Sequence, residues 1–249
     1  MRPKSKTICL LLLYYALSSL HLRAQTAKKD SLVLDSAYTF AIRQYHAYVN
    51  PDVTLYRGPL YVDYAYTLKT GYPYFEDSII EGAIIYNGVF YSHVPLQYDV
   101  VLDVVVIKDP YEIWKIALDR DHVDSFTIEN HQFVRIGDTL NPTAPRRGFY
   151  EQLYRGRVRL LKRESKTIQT QPSWQATEFE KYTVTSISYY LKKGETWYPI
   201  NTRGSLLTAL KDRSSEVKRF IRSNHLRLRK DKENSLVKVI TWYDGLTTR

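Results

Sequence analysis

Cysteine is almost absent from this chain. The single Cys9 lies inside an apolar run over residues 8–20, not behind a small residue at its end. That position does not suit lipid attachment, and the chain beyond it carries no thiol for a disulfide or a metal–thiolate site. Long hydrophobic runs are equally scarce: residues 8–20 fall short of the roughly 20 apolar residues a membrane-spanning helix needs, and no later stretch is apolar enough. The ten glycines are isolated, so no glycine-rich loop is available to cradle phosphate. No GxSxG pattern marks an activated serine. Beyond residue 24, His46, His93, His122, His131 and His225 fall in no HxxxH or HExxH spacing, which argues against a zinc site. The same residues give no sign of a cofactor.

What is present begins with an address. Arg2, Lys4 and Lys6 precede the apolar run, and Ala24 follows Arg23, the three-part layout of a secretory signal peptide. Residues 1–24 are read as removed near Ala24, and the remainder of the 249 residues is long enough for one large domain. The 22 tyrosines and four tryptophans supply apolar area without requiring every ring to be wholly dry. Charge is uneven. Residues 25–145 hold 9 basic and 16 acidic side chains, residues 146–164 hold 7 and 2, and residues 203–249 hold 12 and 5. A basic rear half beside an acidic front half implies internal complementarity, or an anionic partner such as lipid or glycan. Export removes nucleic acid as the usual target.

Along the chain, residues 28–48 place Leu34, Ala37, Ala41, Tyr45 and Tyr48 at helical steps, ended by Asn50 and Pro51. The period then changes to two. Residues 61–66, 79–86, 89–94, 100–107 and 113–118 read as antiparallel strands, and Asn87-Gly88 as a type I′ hairpin turn. Arg155-Gly156 and Lys193-Gly194 punctuate two further hairpins, and residues 169–177, with Pro172, read as a loop. After Asn201 the spacing returns to three and four around Leu206, Leu210, Val217, Ile221, Leu236, Val239 and Tyr243, with Asp231 and Gly245 as caps of the last helix. The expected class is α+β. An amino-terminal helix and a large antiparallel meander of about eight to eleven strands, curled into an open or incomplete barrel, occupy residues 25–201. A helical segment over residues 202–249 packs on that sheet within the same domain.

Leu55-Tyr56-Arg57-Gly58-Pro59-Leu60-Tyr61-Val62-Asp63-Tyr64, Gly71-Tyr72-Pro73-Tyr74-Phe75, the stretch from Tyr86-Asn87-Gly88 to Tyr98-Asp99, Gly148-Phe149-Tyr150 and Trp242-Tyr243-Asp244 together resemble an uncharacterised family of exported Gram-negative bacterial proteins. The resemblance implies export and a shared fold, and brings no activity, ligand or catalytic residue.

Carboxylates are the remaining candidates for chemistry. Asp119, Asp121 and Asp124 lie close together but lack the sharp-turn glycine and terminal bidentate glutamate of a calcium loop, and read as a turn. Asp99 and Asp103, if on one strand face, would stand about 13 Å apart at about 3.3 Å per residue, beyond the roughly 5–9.5 Å of a glycosidase pair. Arg157, Arg159 and Arg163 alternate to form a basic stripe opposite apolar Val158 and Leu160. The chain therefore reads as a non-enzymatic binding or scaffolding protein of the periplasm or the periplasmic face of the outer membrane, with Tyr98, Asp99, Arg157 and Arg159 as candidate binding residues. Its partner would be an envelope protein, anionic lipid or glycan. A hydrolase of envelope polymers and a small-lipid carrier are the alternatives. An intact mass of the natively expressed protein should correspond to a chain shortened by about 24 residues; retention of Met1 would count against export.

Overall fold

In the computed structural model, residues 55–109, 114–138, 141, 143–173 and 179–246 are described; the expected signal peptide and amino-terminal helix lie outside them. The period-two segments become ten strands: β1 (Ile80–Tyr86), β2 (Val89–Asp99), β3 (Val104–Lys108), β4 (Lys115–Ala117), β5 (Val123–Ile128), β6 (His131–Ile136), β7 (Gly148–Arg155), β8 (Val158–Pro172), β9 (Phe179–Lys193) and β10 (Thr196–Pro199). All pair antiparallel in one sheet of order β10-β9-β8-β7-β6-β5-β1-β2-β3-β4, with β10 and β4 as its two unjoined ends. Three helices follow: α1 (Arg203–Ala209), α2 (Ser214–Ser223) and α3 (Lys232–Leu246), with a 3-10 turn at Lys211–Arg213 between the first two.

The β1–β2 turn forms as its sequence requires, because Asn87 and Gly88 both take positive φ, 52° and 74°, the pair of values a type I′ turn demands. Gly148 opens β7 at φ 145°, a conformation L side chains rarely adopt. A Cβ there would also collide with Asp103 and Arg163. Thr202 caps α1, accepting from the Ser205 amide at 3.1 Å while the Ser205 hydroxyl accepts from the Thr202 amide at 3.0 Å, a reciprocal capping pair.

Three expectations are corrected. Residues 61–66 do not form a strand. Leu60 makes a single bridge to Ile116 and the Tyr61 amide donates to Lys115 at 2.8 Å, after which Tyr61 and Tyr64 turn their hydroxyls inward rather than alternate across a sheet. Residues 169–172 are not loop either. The β8–β9 ladder continues to Pro172 opposite Phe179, because Ile168 and Thr170 suit a paired strand and Pro172 sits at its end, where a missing N–H is tolerated. Gly245 lies inside α3 rather than behind it, while the Asp231 carbonyl accepts the first helical bond from Ser235 at 3.2 Å.

Two large apolar clusters divide the fold. The first joins β1, β2, β3, β5, β6 and β7 around aromatic rings. Phe126 and Phe133 stack at 4.7 Å, and Tyr98 meets Phe126 edge-on at 5.3 Å and Phe149 at 5.8 Å. β2 and β7 are four places apart in the sheet, a separation of about 19 Å in a flat sheet at about 4.8 Å per strand, yet their rings touch. The second cluster packs Val158, Leu160, Tyr189 and Leu191 of β8 and β9 beneath the helices, against Leu206, Val217, Ile221, Leu236, Val239 and Ile240. Buried Lys162 reinforces this seam, 2.9 Å from both Glu151 of β7 and Glu233 of α3. Burial works against its ammonium, but the two glutamates outweigh burial and raise its pKa.

Asp212 ties the helices to β9, accepting from Lys193 at 2.6 Å and from the Tyr243 hydroxyl at 2.7 Å. Partial burial opposes its charged form, but these two donors prevail and hold the carboxyl below its ordinary range. A depressed folded-state pKa contributes stability above the unfolded value of about 3.9 and loses it as pH falls through the folded value. Asp212→Asn should therefore flatten the acid limb of the unfolding curve below about pH 4, read by circular dichroism against the parent; an unchanged limb would show that the contact contributes nothing.

Candidate functional site

Tyr98 and Asp99, at the end of β2, are both buried. Oδ2 of Asp99 accepts from Tyr61 at 2.7 Å and Tyr64 at 3.0 Å, and Oδ1 accepts from the Val101 and Leu102 amides, each at 2.9 Å. The last two bonds fold residues 100–103 into an Asx-type turn. Asp103 thus lies beyond the strand, at φ 57°, and the extended-strand spacing does not apply to it. It accepts from the Tyr98 hydroxyl at 2.7 Å and approaches Arg163 at 3.4 Å. Burial raises the pKa values of Tyr61 and Tyr64 far above the ordinary phenol value, helped by Tyr74 and Asp99 at Tyr61 and by Asp99 at Tyr64. Both hydroxyls remain donors at neutral pH.

The basic stripe is drawn into the fold. Arg157 lies just before β8, where its amide donates to Asp244 of α3 at 3.0 Å and its guanidinium meets the same carboxylate at 3.4 Å. Arg159 is half-buried and donates to Gln152 of β7 at 3.2 Å. Arg163 donates to the Arg147 carbonyl at 3.1 Å and the Tyr150 hydroxyl at 3.0 Å. The three acids around Asp121 are engaged likewise. Asp119 accepts from the Asp121 amide at 2.9 Å, Asp121 pairs with Arg147, and Asp124 accepts from the Gly88 amide at 3.0 Å. His122 meets Asn87 and His131 meets Glu151, each at 2.6 Å. Among the described residues no group of three or more potential metal ligands converges.

The arrangement best suited to a ligand is elsewhere, where the segment joining α2 to α3 crosses the end of β10. A cavity of about 660 Å³ opens there, within the usual 300–1,000 Å³ of small-molecule sites. Its floor is apolar: Ile200, Ile221, Leu226, Leu228 and Leu236. Local backbone chemistry sets that floor. Past α2, His225 takes a left-handed φ of 51°, its amide donates to Arg222 at 3.2 Å, and the Leu226 amide donates to Ile221 at 3.0 Å. This is a Schellman ending, whose hydrophobic contact brings Leu226 back beside Ile221. The rim is cationic. Arg203, Arg227, Arg229 and Lys230 are exposed and make no ion pair with a described residue. Lys232 donates to the Asn201 carbonyl at 3.0 Å, lies 4.9 Å from the centre of the Tyr189 ring, and has its pKa lowered by burial. Of the nearest acids, Glu233 is committed to Lys162, and Asp231 accepts from the Asn234 amide at 2.8 Å.

None of these rim residues was singled out from the sequence, although the alternation Leu226-Arg227-Leu228-Arg229 and the surplus of basic residues after residue 202 were visible there. Comparison with protein-family models, curated proteins and solved structures finds no match.

Asp99→Ala would leave two tyrosyl hydroxyls and two amides without their acceptor, and should cost about 3 kcal/mol or more of stability. Asp99→Asn keeps Oδ1 as an acceptor and should cost less. Urea unfolding of the two variants measures both; equal stability of Asp99→Ala and the parent would refute the structural role.

Proposed function

We propose that this protein is an exported, non-enzymatic binding protein of the bacterial cell envelope that holds an amphiphile bearing an anionic head group in the cavity between β10, α2 and α3. One observation carries the reading: an apolar floor is ringed by five cations, none with an acidic partner among the described residues. The floor removes hydrocarbon from water at about 25 cal/mol per Å². The rim supplies charge-assisted bonds, stronger than neutral ones, to a carboxylate or phosphate. A wholly apolar ligand would leave the rim without a role, and a small inorganic anion would leave the floor without one. Desolvated Lys232 fits the same ligand, since a bound anion compensates the burial of its ammonium.

Export rests on the signal-peptide layout and on the family resemblance of the chain. We also read the sheet as curved, an open barrel rather than a plane, on the strength of the contact between Tyr98 and Phe149 across four strand places.

Native mass spectrometry of the protein purified from its own host should find an acidic amphiphile retained. In titrations with a fluorescent single-chain phosphate amphiphile, Arg227→Ser/Arg229→Ser should weaken binding about tenfold, about 1.4 kcal/mol, and added salt should weaken the parent, since exposed charges are screened over about 8 Å at physiological ionic strength. A choline-headed, zwitterionic analogue should bind less well. An empty protein that also fails to bind the fluorescent probe would overturn the reading.

A further inference from the structure

A second cavity, of about 310 Å³, is built by residues 63–77 and shares no lining residue with the first. Its walls include four tyrosines. The Tyr64 ring stands edge-on to Tyr66 at 5.7 Å and to Tyr74 at 6.2 Å. The hydroxyls of Tyr64 and Tyr74 are tied down inside the protein, to Asp99 at 3.0 Å and to Asp63 at 3.1 Å, so these two rings are fixed before any ligand arrives. Burial first, and then Asp63, raise Tyr74 to about 12, and it donates throughout the physiological range. Two carboxylates face the same space. Asp63 also pairs with Lys115 at 2.6 Å, whereas the exposed Asp77 side chain has no hydrogen bond or ion pair with a described residue.

We infer that this cavity binds an uncharged sugar ring, as a mono- or disaccharide unit, with its C–H faces against the tyrosines and its hydroxyls donating to Asp63 and Asp77. The other ligand classes fit less well. Aromatic faces beside carboxylates would ordinarily attract a cation. Here the chain has already placed its own ammonium groups on the rings, with Lys181 Nζ 3.4 Å from the centre of Tyr66 and Lys166 Nζ 4.5 Å from that of Tyr72. A cationic ligand on the opposite face of either ring would be repelled by the lysine behind it. An anion would meet Asp63 and Asp77. A hydrocarbon would desolvate both carboxylates without returning a hydrogen bond. A sugar ring presents apolar faces and a rim of donors, which answers the rings and the carboxylates together. The volume lies at the small end of the range for ligand sites, matching one or two rings rather than a long glycan buried whole. The inference stands independently of the amphiphile cavity.

The test uses the whole chain on an array of neutral hexose and N-acetylhexosamine oligosaccharides beside uronate-containing ones, with choline titrated separately by calorimetry. Neutral oligosaccharides should be retained. Tyr66→Ala and Asp77→Ala should each weaken that binding about tenfold, Asp77→Ala with the unfolding midpoint unchanged because its side chain is exposed and has no hydrogen bond or ion pair with a described residue. Arg227→Ser/Arg229→Ser, which alters the other cavity, should bind sugar like the parent. Absence of neutral glycan binding, preference for uronates or choline, or binding that survives both substitutions would overturn the inference.

Discussion

A carboxylate sealed from solvent organises this molecule. Asp99 is fully buried, and an isolated charge in such a place would be costly. Four short bonds from two phenols and two backbone amides offset that cost. Each has an architectural result. The amides shape the turn that separates β2 from β3. The phenols pin residues 61–64 against the sheet and so set the wall from which Tyr64 faces the smaller cavity. The turn also displaces Asp103 from the strand, placing it where Tyr98 and Arg163 reach it from β2 and β8.

The uneven charge of the chain is resolved in two ways. Three of the six arginines of residues 146–164 are met by acids from earlier and later segments: Arg147 by Asp121, Arg163 by Asp103 and Arg157 by Asp244. These are internal contacts, partly exposed, and individually weak in water. The cations between α2 and α3 find no such match. With Arg203 of α1 and Lys232 of α3 they make five cations around an apolar floor, while others without an acidic partner among the described residues, Lys218, Arg219 and Arg222 on α2 among them, stay on the exposed surface.

Much of the sheet was legible because short-range chemistry dictates it. Asn87-Gly88 admits few conformations besides a tight hairpin, and Leu236, Val239, Ile240 and Tyr243 leave one stripe by which a helix can be buried. The misreadings share a cause. Tyr61 and Tyr64 have strand propensity, but a partner 35 or more residues away fixes their direction. Pro172 signals a break, yet the ladder on β9 continues to it. Gly245 is an available helix end, but Trp242, Tyr243 and Asp244 are held against neighbouring elements and the helix runs past it. Of the residues picked from motif density, Asp99 is central to the architecture, whereas both cavities assemble from pieces whose proximity only the tertiary fold creates. The cationic rim left a trace in alternating leucine and arginine; the tyrosine-lined cavity left only an abundance of tyrosine.

The lengths of the terminal strands carry a further consequence. At one end of the sheet β4 has three residues and is flanked by Leu60; at the other β10 has four. A broad pleated surface normally invites sideways zipping between molecules through its outermost backbone groups. Lys115 and Pro199 stand on these short strands, but β10 covers only Tyr190–Lys193 of the 15-residue β9, whose outer edge towards Phe179 is otherwise met, among the described residues, by a short contact with Lys69 and Thr70. Sideways contact between crowded copies would therefore begin along β9, where Phe179, Val184 and Ile187 are exposed.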